Sequence, residues 1–209
     1  TVLDEVANGA FWTFAPLFAQ ARSDSSLGVS LFISAAVVGG ALSQWPIGML
    51  SDHIDRRWVI AGVSLVAAAS ASLFLIYREA LDFLVIGTGA VWGAAALTVY
   101  PLCSAHVNDR ADPAHFVKVS SRLLMAFGIG AVAGPLLAGV LISKAGLTAL
   151  FAFTATIHVV LALFAVNRIR ILEPVAEEER VAFAPLPPIG HGTQPIFELQ
   201  ESTQADHDL

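Results

Sequence analysis

The sequence predicts an all-α, polytopic membrane protein of six transmembrane helices followed by a polar tail. Three observations predict it. Of the 209 residues, 56% are hydrophobic and 13% charged, and the mean hydropathy of +0.71 lies far above that of an ordinary soluble domain. Up to Asn167, six stretches of 16 residues or more contain no Asp, Glu, Lys or Arg, and a bilayer core asks for roughly 20 mostly apolar residues per helix. These stretches are continuous and rich in Ala, Leu and Gly, whereas strands of a membrane barrel alternate apolar and polar residues.

The first stretch, Val6–Ala21, has 16 residues, holds Pro16 and starts beside Asp4 and Glu5. It is short for a span, and its five neighbours are what make it one. The second, Ser25–Ser51, has 27 residues and contains Gly39, Gly40 and Pro46. The third, Trp58–Tyr77, has 20, and the fourth, Phe83–Asn108, has 26 with Pro101 near its end. The fifth, Leu123–Ser143, has 21 and the sixth, Ala145–Asn167, has 23. Gly89 and Gly93 in the fourth stretch and Gly130 and Gly134 in the fifth are small-xxx-small pairs that let helix backbones approach closely. Pro46, Pro101 and Pro135 each remove a backbone donor and can bend their helices.

Charge sets the expected orientation. Arg56, Arg57, Arg110, Lys118, Arg122, Arg168 and Arg170 follow the even-numbered stretches, against Arg22, Arg78 and Lys144 on the other side. Short loops richer in Lys and Arg stay inside, so both termini are expected in the cytoplasm. The formal charge of −6 belongs to the tail, where eight acidic residues follow position 172 against Arg180 alone. Residues 1–170 are thus expected to form the bundle. Residues 171–209, proline-rich and without periodicity, are expected to be a disordered acidic cytoplasmic tail. Its Phe197–Gln200 stretch is either a partner motif or part of a solvated end.

Several chemistries find no support. Cys103 is the lone cysteine, so no disulfide forms within the chain, and it reads as a small hydrophobe. The six histidines lack metal-ligand spacing. No phosphate-binding loop and no Ser-His-Asp context occur. The chain is therefore expected to be no enzyme, with no cofactor, no metal, no catalytic residue and no nucleic-acid partner. No cleavable signal peptide is recognisable, and with Thr at position 1 the chain is read as lacking its true beginning.

The break between the second and third stretches is more specific. GMLSDHIDRR, Gly48 to Arg57, resembles the loop signature of the major facilitator superfamily, G-x-L-[AS]-D-[RK]-x-G-[RK]-[RK]. Gly48, Leu50, Ser51, Asp52, Arg56 and Arg57 agree with it, while His53 and Asp55 replace a basic residue and a glycine. GIGAVAGPLLAG at 128–139 resembles the fifth helix of such a half, and SAHVNDRADPAHFVKVSSRLL the cytoplasmic stretch before it. NGAFWTFAPLF and QWPIGMLSD are similar to seventh and eighth helices in one bacterial branch. The likeness covers about residues 4–170, and the two departures fit the degraded signature of a C-terminal half.

That resemblance implies one six-helix half of a secondary transporter in a bacterial inner membrane, moving a small solute by alternating access. It implies a cytoplasmic gate at Gly48, Asp52, Arg56 and Arg57. Physically, Asp52 at a helix end can accept from a neighbouring helix N-terminus or pair with a guanidinium, Arg56 and Arg122 being candidates. Alternatively, Asp52 merely caps its loop and the arginines only fix topology. Since the first and fourth helices of a half line the cavity in the resembled fold, Asn8, Trp12, Trp92, Thr98 and Tyr100, with Gln44, are the candidate substrate residues. Each also has a packing or interfacial reading. For proton coupling, His158 is a relay candidate or a packing residue, and Asp4 and Glu5, at the cytoplasmic entry of the first helix, are the better-placed candidates or plain end charges. Partners implied are the lipid bilayer, the small-molecule substrate, and either a missing N-terminal half or a second copy. The remaining alternative is a non-transporting scaffold whose tail recruits a partner.

Overall fold

The computed structural model describes residues 1–23, 25–76, 83–111 and 115–171. The expected tail lies outside the described residues from Leu172 onward. Within them the chain is helical, with no strand: α1 Val2–Gln20, α2 Ser26–His53, α3 Arg56–Ile76, α4 Phe83–Asn108, α5 Phe116–Ala145 and α6 Ala149–Ile171. Helices α2 to α6 are long and apolar enough to cross a membrane. The 19-residue α1 carries Asp4, Glu5 and Pro16 within its length.

Helix α5 starts seven residues before its apolar stretch, taking in Lys118, which the sequence places ahead of the helix, as well as Arg122. Lys and Arg are good helix formers, so a helix need not stop where its lipid-facing part does. At its other end Gly146 closes the helix with φ 81° and ψ 174°, a backbone that glycine adopts without strain, and its N–H donates to the Ile142 carbonyl at 2.8 Å.

Packing is organised in pairs. α2 lies along α4, α1 along α5 and α3 along α6, with α3 also against α4 and α1 against α6. Exchanging α1 with α4, α2 with α5 and α3 with α6 turns these pairings into one another, so the bundle reads as two three-helix repeats. The seams repeat too. On α2 and α4, a Cβ added to Gly39 would strike the Ala90 backbone, one on Gly93 the Ala36 backbone, and one on Gly89 the Phe32 ring. On α1 and α5, Gly134 packs on the Val6 carbonyl, Gly130 on Glu5 and the Val2 carbonyl, and a Cβ on Gly9 would sit 2.8 Å from the Ala131 carbonyl oxygen. The glycines thus bring the backbones together as small-residue membrane seams do.

The core has two different ends. An aromatic cluster joins late α1 and α3 to early α2 and α6: Phe18 meets Phe151 edge-on at 4.4 Å, and Phe74 stacks on Phe151 at 4.3 Å. Phe11 stacks on Trp92 at 3.7 Å deeper in the bundle. Toward the opposite end Val59, Ile60, Leu102 and Ala165 form a smaller aliphatic cluster beneath the α2–α3 turn. Outer faces are apolar as well: Leu42, Trp45, Val132, Leu136 and Leu163 are all exposed.

Candidate functional site: the ionic cluster at the α2–α3 turn

Two residues, Ile54 and Asp55, separate α2 from α3. Ile54 is extended, at φ −115° and ψ 164°. The Asp55 carboxylate accepts the Arg57 backbone N–H at 3.0 Å, which makes it the N-cap of α3. The aspartate that departs from the glycine of the signature therefore starts the next helix. It also takes three hydrogen bonds from the Arg57 guanidinium, Nε to Oδ1 at 3.0 Å and to Oδ2 at 3.1 Å, and NH2 to Oδ2 at 2.5 Å. Burial alone would raise the Asp55 carboxyl, but the side-chain and backbone hydrogen bonds of Arg57 outweigh it and hold the group below the usual carboxylate range.

Arg56 is 2% exposed and makes the other half of the site. Its Nε donates to Asp109 Oδ2 at 2.8 Å and its NH2 to Oδ1 at 3.4 Å, a forked grip on a carboxylate just past the end of α4. Its NH1 lies 3.1 Å from Asp52 Oδ1 and donates to Ser51 Oγ at 2.9 Å. Ser51 in turn donates to the carbonyl of the buried Gly48 at 2.7 Å. Arg57 NH1 reaches the carbonyl of Arg168 in the last turn of α6 at 3.0 Å. Two adjacent guanidiniums thus fasten the start of α3 to the C-terminal ends of α2, α4 and α6. Cations are favoured there because terminal carbonyls lack helical partners and the helix dipole is negative.

All four gate residues expected from the sequence, Gly48, Asp52, Arg56 and Arg57, meet here. Arg122 does not join them; it is exposed at the start of α5, and the guanidinium on Asp52 is that of Arg56. Sequence reasoning missed Asp55 and Asp109. Asp55 was visible only as a mismatch, although an acid directly before a helix start is an N-cap signal. Asp109 was legible as the first charge after the fourth stretch, on the same side as the arginines.

Of the six cavity candidates, four are buried and two half-buried. Trp92 is fully buried between Phe11 and His158, the latter 6.2 Å away by ring centroids, and Thr98 is fully buried with its hydroxyl on the Ala95 carbonyl at 2.7 Å. Gln44 lies in the buried stripe of α2 with Phe32, Ala36, Gly40 and Gly48. Trp12 is half-buried, edge-on to Phe11 at 5.4 Å. Tyr100 is half-buried with its ring edge-on to Phe127 of α5 at 5.5 Å. Asn8 is buried on α1, one turn beyond Asp4. Pro135 sits in α5 beside Gly134 at the α1 seam. His158 is buried on α6, its Nδ1 2.7 Å from the Thr154 carbonyl. Asp4 and Glu5, expected as charges at a helix entry, are instead 0% and 4% exposed, enclosed by the bundle.

Comparison with known proteins gives consistent results. The model of the Major Facilitator Superfamily matches residues 1–201. A curated relative in Escherichia coli O17:K52:H18 (strain UMN026 / ExPEC), named "Uncharacterized MFS-type transporter YcaD", is 24% identical over 156 residues, covering 75% of this chain and 40% of that protein. Proteins of the same name in Shigella flexneri serotype 5b (strain 8401) and in Shigella flexneri are each 23% identical with the same coverage. The chain thus covers about 40% of the length of these relatives.

Proposed function

Because the chain belongs to the Major Facilitator Superfamily, an integral membrane family of secondary transporters, we propose that it is one six-helix half, the C-terminal one, of a carrier that moves a small solute by alternating access. The observation that carries this reading is Arg56, a buried guanidinium held simultaneously by Asp52 in the last turn of α2 and Asp109 just after α4. Such a contact closes one end of the bundle and must part if helices at that end separate. On this reading α1 is the sixth span, the α2–α3 turn faces the cytoplasm together with both termini, and the membrane is a bacterial inner membrane. The two three-helix repeats would then have inverted topology, as in the halves of this superfamily.

Burial supports a missing wall. α2 and α5, exchanged by the repeat, each bury only a narrow stripe: Phe32, Ala36, Gly40, Gln44, Gly48 and Ser51 on one, Leu123, Gly130, Gly134 and Ala138 on the other. Their remaining apolar faces suit a second six-helix bundle, with the solute between the two. Of the cavity candidates, Trp12 and Tyr100 retain partial exposure toward such a cavity. The same bare faces favour a second reading, in which two copies of this chain supply both walls.

The test is a solute screen on inverted membrane vesicles carrying the reading frame that contains this chain, then repeated with Asp52→Asn. Flux that falls sharply at unchanged membrane abundance supports the latch; undiminished flux removes it. Equal flux from the 209-residue chain alone, with differently tagged copies co-purifying, replaces the half by the homodimer. Tail-dependent capture of a partner with no flux from either form replaces both by a scaffold.

A further inference from the structure

Where α3 begins, Arg56, Arg57, Arg110 and Arg168 meet the carboxylates of Asp52, Asp55 and Asp109. The cations outnumber the acids. Arg56 takes Asp52 and Asp109, and Arg57 takes Asp55. Arg110, just past α4, and Arg168, in the last turn of α6, are both exposed and close enough to oppose each other's charge, with Arg57 near both. Loss of hydration first, and then the Arg57 charge, push the Arg110 guanidinium below its ordinary pKa; Arg168 adds to this, and Asp55 and Asp109 do not offset it. Like charges held together on converging helix ends favour an anion between them.

Their depth is the second observation. Arg168 directly follows Asn167, which ends the uncharged stretch of α6, and Arg110 stands two residues past Asn108, which ends that of α4. Both guanidiniums are therefore at headgroup level, where a spanning helix meets lipid phosphate. The surface beneath them is apolar. The Arg168 guanidinium lies over the Phe164 ring, 5.9 Å from its centroid, and Phe164 is 56% exposed. On α3, which packs against both α4 and α6, Trp58 is 55% exposed and follows the Arg57 that meets the Arg168 carbonyl. One turn deeper Gly62 is exposed, and a Cβ there would meet nothing within 4 Å. The Arg57–Arg168 and Phe74–Phe151 contacts run α3 and α6 antiparallel, which sets Gly62 near the level of Phe164. A notch in the apolar surface thus lies under the cations.

We propose that Arg110 and Arg168 bind the phosphodiester of an anionic phospholipid, one acyl chain of which lies along Phe164 and the Gly62 notch of α3. The forked donors of a guanidinium match phosphate oxygens in pairs. A zwitterionic lipid brings its own cation to the phosphate and so relieves less of the repulsion, and a soluble anion makes no use of the apolar surface below. The bound lipid ties the end of α4 to the end of α6 across the start of α3, beside the Arg56 and Arg57 contacts. The site rests on the chain lying in a bilayer and not on transport.

The test is native mass spectrometry of the full 209-residue chain in detergent, titrated with phosphatidylglycerol and with phosphatidylcholine of the same acyl chains. Phosphatidylglycerol should bind about tenfold more tightly, and the Arg110→Gln, Arg168→Gln double variant should lose that preference. Arg57 holds the carbonyl of Arg168 and not its side chain, so the junction to α6 survives the change. Each single variant should lose part of the preference, and these decide the matter if the double variant does not fold. Lys118→Gln, which removes an exposed charge at the start of α5, should keep it whole. Equal binding of the two lipids, or a preference unmoved by both single variants, overturns the proposal. So does a loss in Lys118→Gln equal to that of the single arginine variants, which assigns the effect to net charge alone. Displacement of the lipid by an equal concentration of glycerol phosphate assigns the site to a soluble phosphate and overturns it as well. Preferential lipid binding without solute flux from the reading frame that contains this chain refutes the transporter reading and leaves the lipid site standing.

Discussion

Replacing Asp109 with asparagine should unlatch the α2–α3 end, and the protein carries its own reporter. Asp109 is 2% exposed at the side chain and takes the forked grip of an Arg56 side chain that is 1% exposed. Breaking a buried ion pair by removing one partner costs about 3–5 kcal/mol. Arg56 keeps Asp52, whose side chain is 32% exposed and better solvated, so the low end, about 3 kcal/mol, is the appropriate figure. At 1.4 kcal/mol per factor of ten, the open population rises about 100-fold. Cys103, the single cysteine and half-buried on α4 six residues before Asp109, should be alkylated by a membrane-permeable maleimide faster by a similar factor when opening limits access. The measurement is the alkylation rate in nanodiscs, followed by intact mass. A rate within about twofold of wild type, with helical content preserved, would refute the claim that the Arg56–Asp109 contact holds this end closed.

Gly93→Val and Gly134→Val should each lower the detergent melting temperature markedly, because their Cβ atoms would collide with the Ala36 and Val6 backbones, whereas Gly62→Ala, with nothing nearby, should leave it unchanged. Trp92→Ala should cost about 3–5 kcal/mol of stability, since the ring is fully buried and stacked on Phe11; loss of flux at full stability would instead assign it to the substrate. For Asp55, whose folded carboxyl titrates below its unfolded value of about 3.9, the stabilisation is complete above that value and is lost as the pH falls through the lower folded one. Asp55→Asn should therefore flatten the acid limb of a melting-temperature profile, and an unchanged limb would argue against the cap. Arg57→Lys should weaken the junction to α6 even with charge retained, because a point ammonium cannot grip Asp55 and the Arg168 carbonyl together.

What the sequence determined by itself is whatever follows from the solvent each segment must tolerate. A run of some 20 residues without charge has one stable form in lipid, a helix with all backbone bonds internal, so the helices were legible from Val6 to Asn167. The signature at Gly48–Arg57 was legible because its residue types and spacing are local. Glycine spacing marked the seams on α4 and α5 but not Gly9, a lone glycine on α1 that matters only because α5 lies against it. Only the tertiary structure decided which charges are partners, because ion pairs are set by where helix ends converge. Arg56 and Asp109 are 53 residues apart, and Arg57 meets a carbonyl 111 residues away. It also decided depth. Asp4 and Glu5 read as surface charges while α1 was measured from its own apolar run, and as interior ones once α4 and α5 pass alongside, because depth in a bundle is fixed by the neighbours that enclose a residue.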